Sequence, residues 1–190
     1  SKFFLKFMNE ALNIYAKKEN IYSVSGYMFP IKTEKTESFL MPFISTWGWG
    51  TWKEQWKYFK KDLNPSEIEE QFKSDSIKKR FNLSDYDYFW MLKNKLNTSW
   101  GIRWYYSVFI RGGLNVFPTK TLVTNIGFDG SGINCRRNSV NDLDIKNFDI
   151  NVKNTMEIDL DMYGKYLDYF KNKGVKSRCL NFLSRFLKKY

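Results

Sequence analysis

The sequence predicts a mixed α/β chain, α+β within these 190 residues, built as a few-stranded mixed sheet with several helices. Three observations predict it. Residues 3–15 and 177–190 carry apolar side chains at helical spacing. Short runs rich in Ile, Val, Tyr and Phe recur at 21–28, 39–44, 114–117 and 122–126. These strand candidates are too few for a complete nucleotide-binding sheet with its own crossovers.

Each element has a local reason. In the first helix Phe3, Phe4, Phe7, Met8, Ala11, Leu12 and Tyr15 share one face, with Lys2, Lys6, Asn9 and Asn13 off it. The run 21–28 reads as a strand stopped near Pro30, and 31–38 is polar enough to be a loop. Pro42 breaks the run 39–44 and makes it an edge strand or extended segment. Gly48 and Gly50 permit tight turns, and Thr51 is placed to cap a helix from Trp52, with Trp56 and Phe59 continuing its spacing. Pro65-Ser66-Glu67 opens another helix, with proline early and an acid in the first turn.

A further helix is expected over 85–96. Ser99 caps the next, from Trp100 to about Ile110, closed by Gly112-Gly113. Strands follow at 114–117 and 122–126, then a glycine-rich loop from Gly127 to Gly132. The chain is polar and irregular from Cys135 to about Tyr163. Helices close it at 163–171 and 177–190.

Composition limits the chemistry. Histidine is absent, which excludes Ser-His-Asp and Cys-His catalysis and every His-ligated metal site within this chain. Cys135 and Cys179 form no C-x-x-C pair or disulfide framework, which fits a reducing cytoplasm. The net charge of +11 favours anionic partners in general. No zinc-finger spacing or RNP-type motif supports nucleic-acid binding, and none is expected. Aromatic residues make up 19% of the chain, so either an aromatic-rich core or part-exposed rings at a ligand site is in view.

Several motifs could carry function. Trp47, Trp49 and Trp52 flank glycines, and indole faces stack on sugar rings; at least one of the three belongs to the core. Trp100, Arg103 and Trp104 fall on roughly one helix face. Arg103 is either a fork for a phosphate or carboxylate, or the partner of Asp85 or Asp87. The Gly127–Gly132 loop, with Asp129 at its apex, either admits a ligand close to the backbone or is a tight turn. It lacks the lysine of a phosphate-binding P-loop. Asp142-Leu143-Asp144 and Asp159-Leu160-Asp161 have the D-x-D spacing of a diphosphate-bound metal, but no apolar strand delivers either. The stripe of residues 177–190, flanked by Arg178, Arg185, Lys188 and Lys189, either docks on its own domain or lies in a lipid headgroup layer.

In order and spacing, residues 3–15, 21–27, Ser45-Thr46-Trp47-Gly48-Trp49-Gly50-Thr51-Trp52, 99–105 and 122–135 resemble bacterial family 2 glycosyltransferase-like sugar transferases. The outline is more remotely similar to the N-acetylglucosaminyltransferase I group. The resemblance implies an incomplete GT-A fold, with residues 1–150 as its acceptor-side part and 151–190 as a helical extension. It implies a parent enzyme that moves sugar from a nucleoside diphosphate sugar to the hydroxyl of a glycan or lipid-linked acceptor. Mg²⁺ or Mn²⁺ would be held by ligands upstream of Ser1, so this chain alone would be inactive. Trp47, Trp49, Trp100, Arg103, Asn125 and Gly130 are the implied acceptor-binding residues, at a cytoplasmic site with possible peripheral membrane contact.

Two departures bear on catalysis. Relatives often carry Asp before the Ser-Trp-x-Ile-Arg-Trp block, where this chain has Thr98, and His in the glycine-rich loop, where it has Phe128 and Asn134. Neither Asn97 nor Thr98 can act as a general base, so either another carboxylate supplies it, with Asp129 the nominee, or the chemistry differs, or activity is lost. The competing expectation is a non-catalytic carbohydrate-binding or scaffold module.

Overall fold

The computed structural model describes residues 1–95, 99–124 and 147–171. Its elements, in chain order, are α1 (Phe4–Ile14), β1 (Ile21–Ser25), β2 (Phe39–Met41), β3 (Trp49–Gly50) and α2 (Lys53–Trp56). Then come α3 (Pro65–Gln71), α4 (Asp75–Phe81), α5 (Tyr88–Lys95), α6 (Trp100–Phe109), β4 (Leu114–Phe117) and α7 (Leu160–Phe170). This is the mixed α+β chain the sequence predicts. It divides into two compact units: Ser1–Phe59 with Val108–Leu160, and Lys60–Ser107 with the chain from Asp161 onward.

The first unit holds a four-stranded sheet in the order β2-β4-β1-β3. β1 runs parallel to β4, with Val24 opposite Val116, and antiparallel to β3, with Ser25 opposite Trp49. β2 runs antiparallel to β4 and lies at one edge, as Pro42 predicts. α1 supplies Phe7, Met8, Ala11 and the following Tyr15 to a core shared with Ile21, Val24, Leu40, Val116 and Leu122. The polar residues buried in the sheet are satisfied: the Ser23 hydroxyl donates to Asn115 Oδ1, and Asn115 Nδ2 donates to the Phe43 carbonyl at 2.7 Å.

Several sequence expectations are corrected here. β1 ends at Ser25 rather than near Met28, because the Ser25 hydroxyl turns the chain by bonding both the N–H and the carbonyl of Tyr27. Thr51 does not cap a helix; its hydroxyl donates to the Tyr22 carbonyl at 2.6 Å. Trp52 takes the N-cap position of a helix that spans only Lys53–Trp56. Residues 122–124 form no strand, although Leu122 is buried and its N–H donates to the Gly26 carbonyl at 2.8 Å.

The second unit is helical and aromatic. α3 starts as its sequence predicts, with Pro65 in the first turn and Asn64 Oδ1 accepting from Ser66 N–H. α4 is capped by Ser74 and was not anticipated from the sequence. α5 begins at Tyr88 rather than Asp85: Leu83 and Tyr86 exchange backbone bonds across a turn with Ser84 at φ 52°, and Asp87 Oδ1 then accepts from Trp90 N–H. α7 begins at Leu160, earlier than the expected Tyr163. Phe72 contacts Phe81 and Phe89 at 5.0 and 4.8 Å between ring centroids, and Tyr105 stacks on Phe81 at 4.5 Å. Among the described residues no helix is long and apolar enough to cross a membrane.

Candidate functional site

The Trp-Gly-Trp-Gly-Thr-Trp segment lies in the first unit, and its three indoles have different environments. Gly48 adopts φ +53°, and its carbonyl accepts from Gly26 N–H at 2.7 Å. A Cβ at Gly48 would sit 2.7 Å from Val123 Cγ1, so both conformation and space call for glycine. Trp52 is the core member of the three: its indole N–H donates to the Leu12 carbonyl at 2.9 Å, and it packs against the α1 cluster.

Trp47 and Trp49 are only half-buried. Trp47 meets Tyr27 edge-on at 4.4 Å, and Tyr27 meets Phe29 edge-on at 5.0 Å. Trp49 lies in β3 and leans on Trp56 at 5.8 Å; Trp56 stacks on Phe59 at 4.6 Å with 13° between the rings. Both indoles are therefore held by other rings while part of each remains accessible, an arrangement suited to stacking on a sugar face.

In the same unit, the Arg111 guanidinium lies over the Tyr58 ring, 4.6 Å from its centroid, and Tyr58 leans on Tyr22 at 6.0 Å. Burial pushes the Tyr22 hydroxyl pKa up, and the charge of Arg111 offsets part of that rise. The spacing of Trp56 and Phe59 was visible in the sequence. Arg111 was not singled out, because it meets Tyr58 only through the tertiary fold.

The Ser-Trp-Gly-Ile-Arg-Trp block lies in the second unit. Ser99 Oγ accepts from Ile102 N–H at 3.5 Å, a long cap at the start of α6. Trp100 is 42% exposed, whereas Trp104 is fully buried, so two tryptophans of one motif have opposite environments. Arg103 is half-buried, and its Nη1 donates to the Lys61 carbonyl.

Of the two D-x-D candidates, Asp159-Leu160-Asp161 is described. Asp159 pairs with Lys35 at 2.5 Å and Asp161 with Lys165 at 3.0 Å. Both carboxylates thus face ammonium groups, a poor donor set for a divalent cation. Among the described residues no group of three Cys, Asp or Glu side chains is placed to hold a metal ion. The described pair Asp159 and Asp161 therefore does not fit Mg²⁺ or Mn²⁺. A polar cleft of about 360 Å³, lined by Glu34, Lys35, Glu37, Ser38, Asn151 and Asp159, was not foreseen from the sequence.

Asn125, Phe128, Asp129, Gly130 and Asn134 lie outside the described residues, as do Thr98, Asp142, Asp144, Cys135, Cys179 and the stripe 177–190. No family model, curated protein or solved structure matches this chain.

Proposed function

We propose that this chain is the acceptor-side portion of a GT-A glycosyltransferase acting in polysaccharide or glycoconjugate assembly. The complete enzyme transfers sugar from a nucleoside diphosphate sugar to the hydroxyl of a glycan or lipid-linked acceptor at the cytoplasmic side. The observation that carries this reading is the Trp47–Gly48–Trp49 segment: two half-buried indoles held by neighbouring rings around a glycine at positive φ. Rings fixed in this way lose little freedom when a sugar docks.

In this reading Trp47 and Trp49 stack on the acceptor, and Asn125 and Gly130 contact it through the glycine-rich loop. Asp129 takes the proton from the attacking hydroxyl. The metal and the nucleotide belong to the donor-side half of the enzyme.

The test compares the 190-residue chain with a longer polypeptide that includes the upstream coding sequence. Each is supplied with nucleoside diphosphate sugars, Mn²⁺ or Mg²⁺ and acceptor glycans, and release of nucleoside diphosphate is measured. The longer polypeptide is expected to release it and the short chain is not. Trp49→Ala in the longer polypeptide should lower kcat/KM on the order of tenfold, the value of one lost ring contact. Release by the short chain would overturn the division of labour. Saccharide binding by the longer polypeptide without any release would favour the carbohydrate-binding module.

A further inference from the structure

The polar cleft of about 360 Å³ lies wholly in the first unit and shares no residue with the tryptophan segment. It is lined by residues 34–38 and by the later segment 151–159. The two segments are tied together. Ser38 N–H donates to the Asn151 carbonyl at 2.8 Å, and Ser38 Oγ accepts from Lys153 N–H at 2.9 Å. Asp159 N–H donates to the Leu40 carbonyl at 3.0 Å, and Lys35 pairs with Asp159 at 2.5 Å. The Tyr15 hydroxyl donates to the Lys153 carbonyl and fixes the later segment to the end of α1. The cleft is therefore held open by its own backbone and needs little ordering to receive a ligand.

Every side chain lining the cleft is polar or charged. Elsewhere carboxylates such as Asp149, Glu54 and Asp161 are neutralised by lysines. Glu34, Glu37 and Lys153 all line the cleft, yet among the described residues none of the three enters an ion pair. Two carboxylates on one segment and an ammonium on the other thus border one space without neutralising each other. We infer that this cleft binds a small polar zwitterion of the α-amino-acid class. The ligand ammonium donates to Glu34 and Glu37, its carboxylate accepts from Lys153, and Thr36 and Asn151 meet a polar side chain. A ligand with both charges satisfies both segments. A lone anion meets two carboxylates, and a lone cation meets the ammonium. Among the described residues no three carboxylates are placed to hold a metal ion, so the cation that Glu34 and Glu37 take is an organic ammonium. The volume falls in the range of about 300–1,000 Å³ typical of small-molecule sites, and the polar lining selects against an apolar ligand.

The test titrates the 190-residue chain with L-glutamine at millimolar concentrations, followed by calorimetry. Putrescine, succinate, glucose and L-leucine serve as comparators: a cation, an anion, a neutral polyol and an apolar zwitterion. L-glutamine is expected to bind, more weakly as salt rises, and about tenfold tighter than any comparator. Lys153→Met should weaken L-glutamine about tenfold, and Lys153→Arg should keep most of the binding. The double variant Glu34→Gln with Glu37→Gln should weaken L-glutamine at least as much, while succinate binds no more weakly than before. These side chains are exposed, so near-ultraviolet circular dichroism and the urea midpoint should stay unchanged in every variant. Absence of L-glutamine binding would overturn the inference. So would equal binding of putrescine, succinate or glucose, tighter binding of L-leucine, or L-glutamine binding indifferent to Lys153→Met and to the double variant. None of these outcomes bears on release of nucleoside diphosphate by the longer polypeptide, so the transferase reading stands or falls separately.

Discussion

The indole N–H of Trp52 donates to the carbonyl of Leu12 at 2.9 Å, and so ties the Trp-Gly-Trp-Gly-Thr-Trp segment to the last turn of α1. Leu12 is among the final residues of that helix, whose carbonyls lack intrahelical partners. The N–H of Ala16, which would continue the helical pattern, goes to Asn13 instead. Trp52 thus fills a vacancy that every helix end leaves. Trp52→Phe keeps a ring but orphans the carbonyl, and should cost about 1–2 kcal/mol. Urea unfolding checks this: the midpoint should fall with the slope unchanged.

Gly48 and Gly112 both adopt left-handed backbone, at φ +53° and +64°, yet they should respond differently to a methyl group. At Gly112 an added Cβ meets nothing within 4 Å, so Gly112→Ala should cost only the conformational penalty of about 1 kcal/mol. At Gly48 it meets Val123 Cγ1 at 2.7 Å, so Gly48→Ala should cost about 3 kcal/mol. Equal losses in parallel thermal melts would contradict the close approach at Val123.

Tyr105 predicts an alkaline limit to stability. Burial pushes its pKa well above the ordinary 10.0, and its hydroxyl donates to the Phe81 carbonyl at 2.8 Å. The fold therefore favours the neutral phenol. That contribution is fully present below pH 10.0, the unfolded value, and is lost as pH rises through the higher folded value. The unfolding midpoint should fall above about pH 10. Tyr105→Phe should flatten that fall while costing about 1 kcal/mol at neutral pH. An alkaline limb identical in the variant would assign the loss to other groups.

Trp100 and Trp104 should differ sharply in what they contribute to stability, although they share one motif. Trp104 is fully buried, so Trp104→Ala should cost about 3–5 kcal/mol. Trp100 is 42% exposed, so Trp100→Ala should stay within about 0.5 kcal/mol of the parent. A large stability loss in Trp100→Ala would reassign that residue to packing.

Where local chemistry is strong, the sequence reads true. α1 follows from its apolar spacing, α3 from Pro65-Ser66-Glu67, the end of α6 from Gly112-Gly113, and the edge position of β2 from Pro42. The misses come where a side chain finds a distant partner. Thr51 has the chemistry of a cap but bonds the Tyr22 carbonyl, and β3, only Trp49–Gly50, exists because β1 offers its edge. α4 was missed although its cap, Ser74, is local.

The sequence by itself determined that the chain is mixed α and β, that it contains no histidine chemistry, and that tryptophans cluster around glycines. Periodicity and composition report such properties because they depend only on neighbours along the chain. Only the tertiary structure decided that Trp52 and Trp104 are packed while Trp49, Trp56 and Trp100 keep accessible surface, and that Arg111 comes to rest over Tyr58. Identical indoles have identical local chemistry, and what sits above each ring is settled by contacts between residues far apart in sequence.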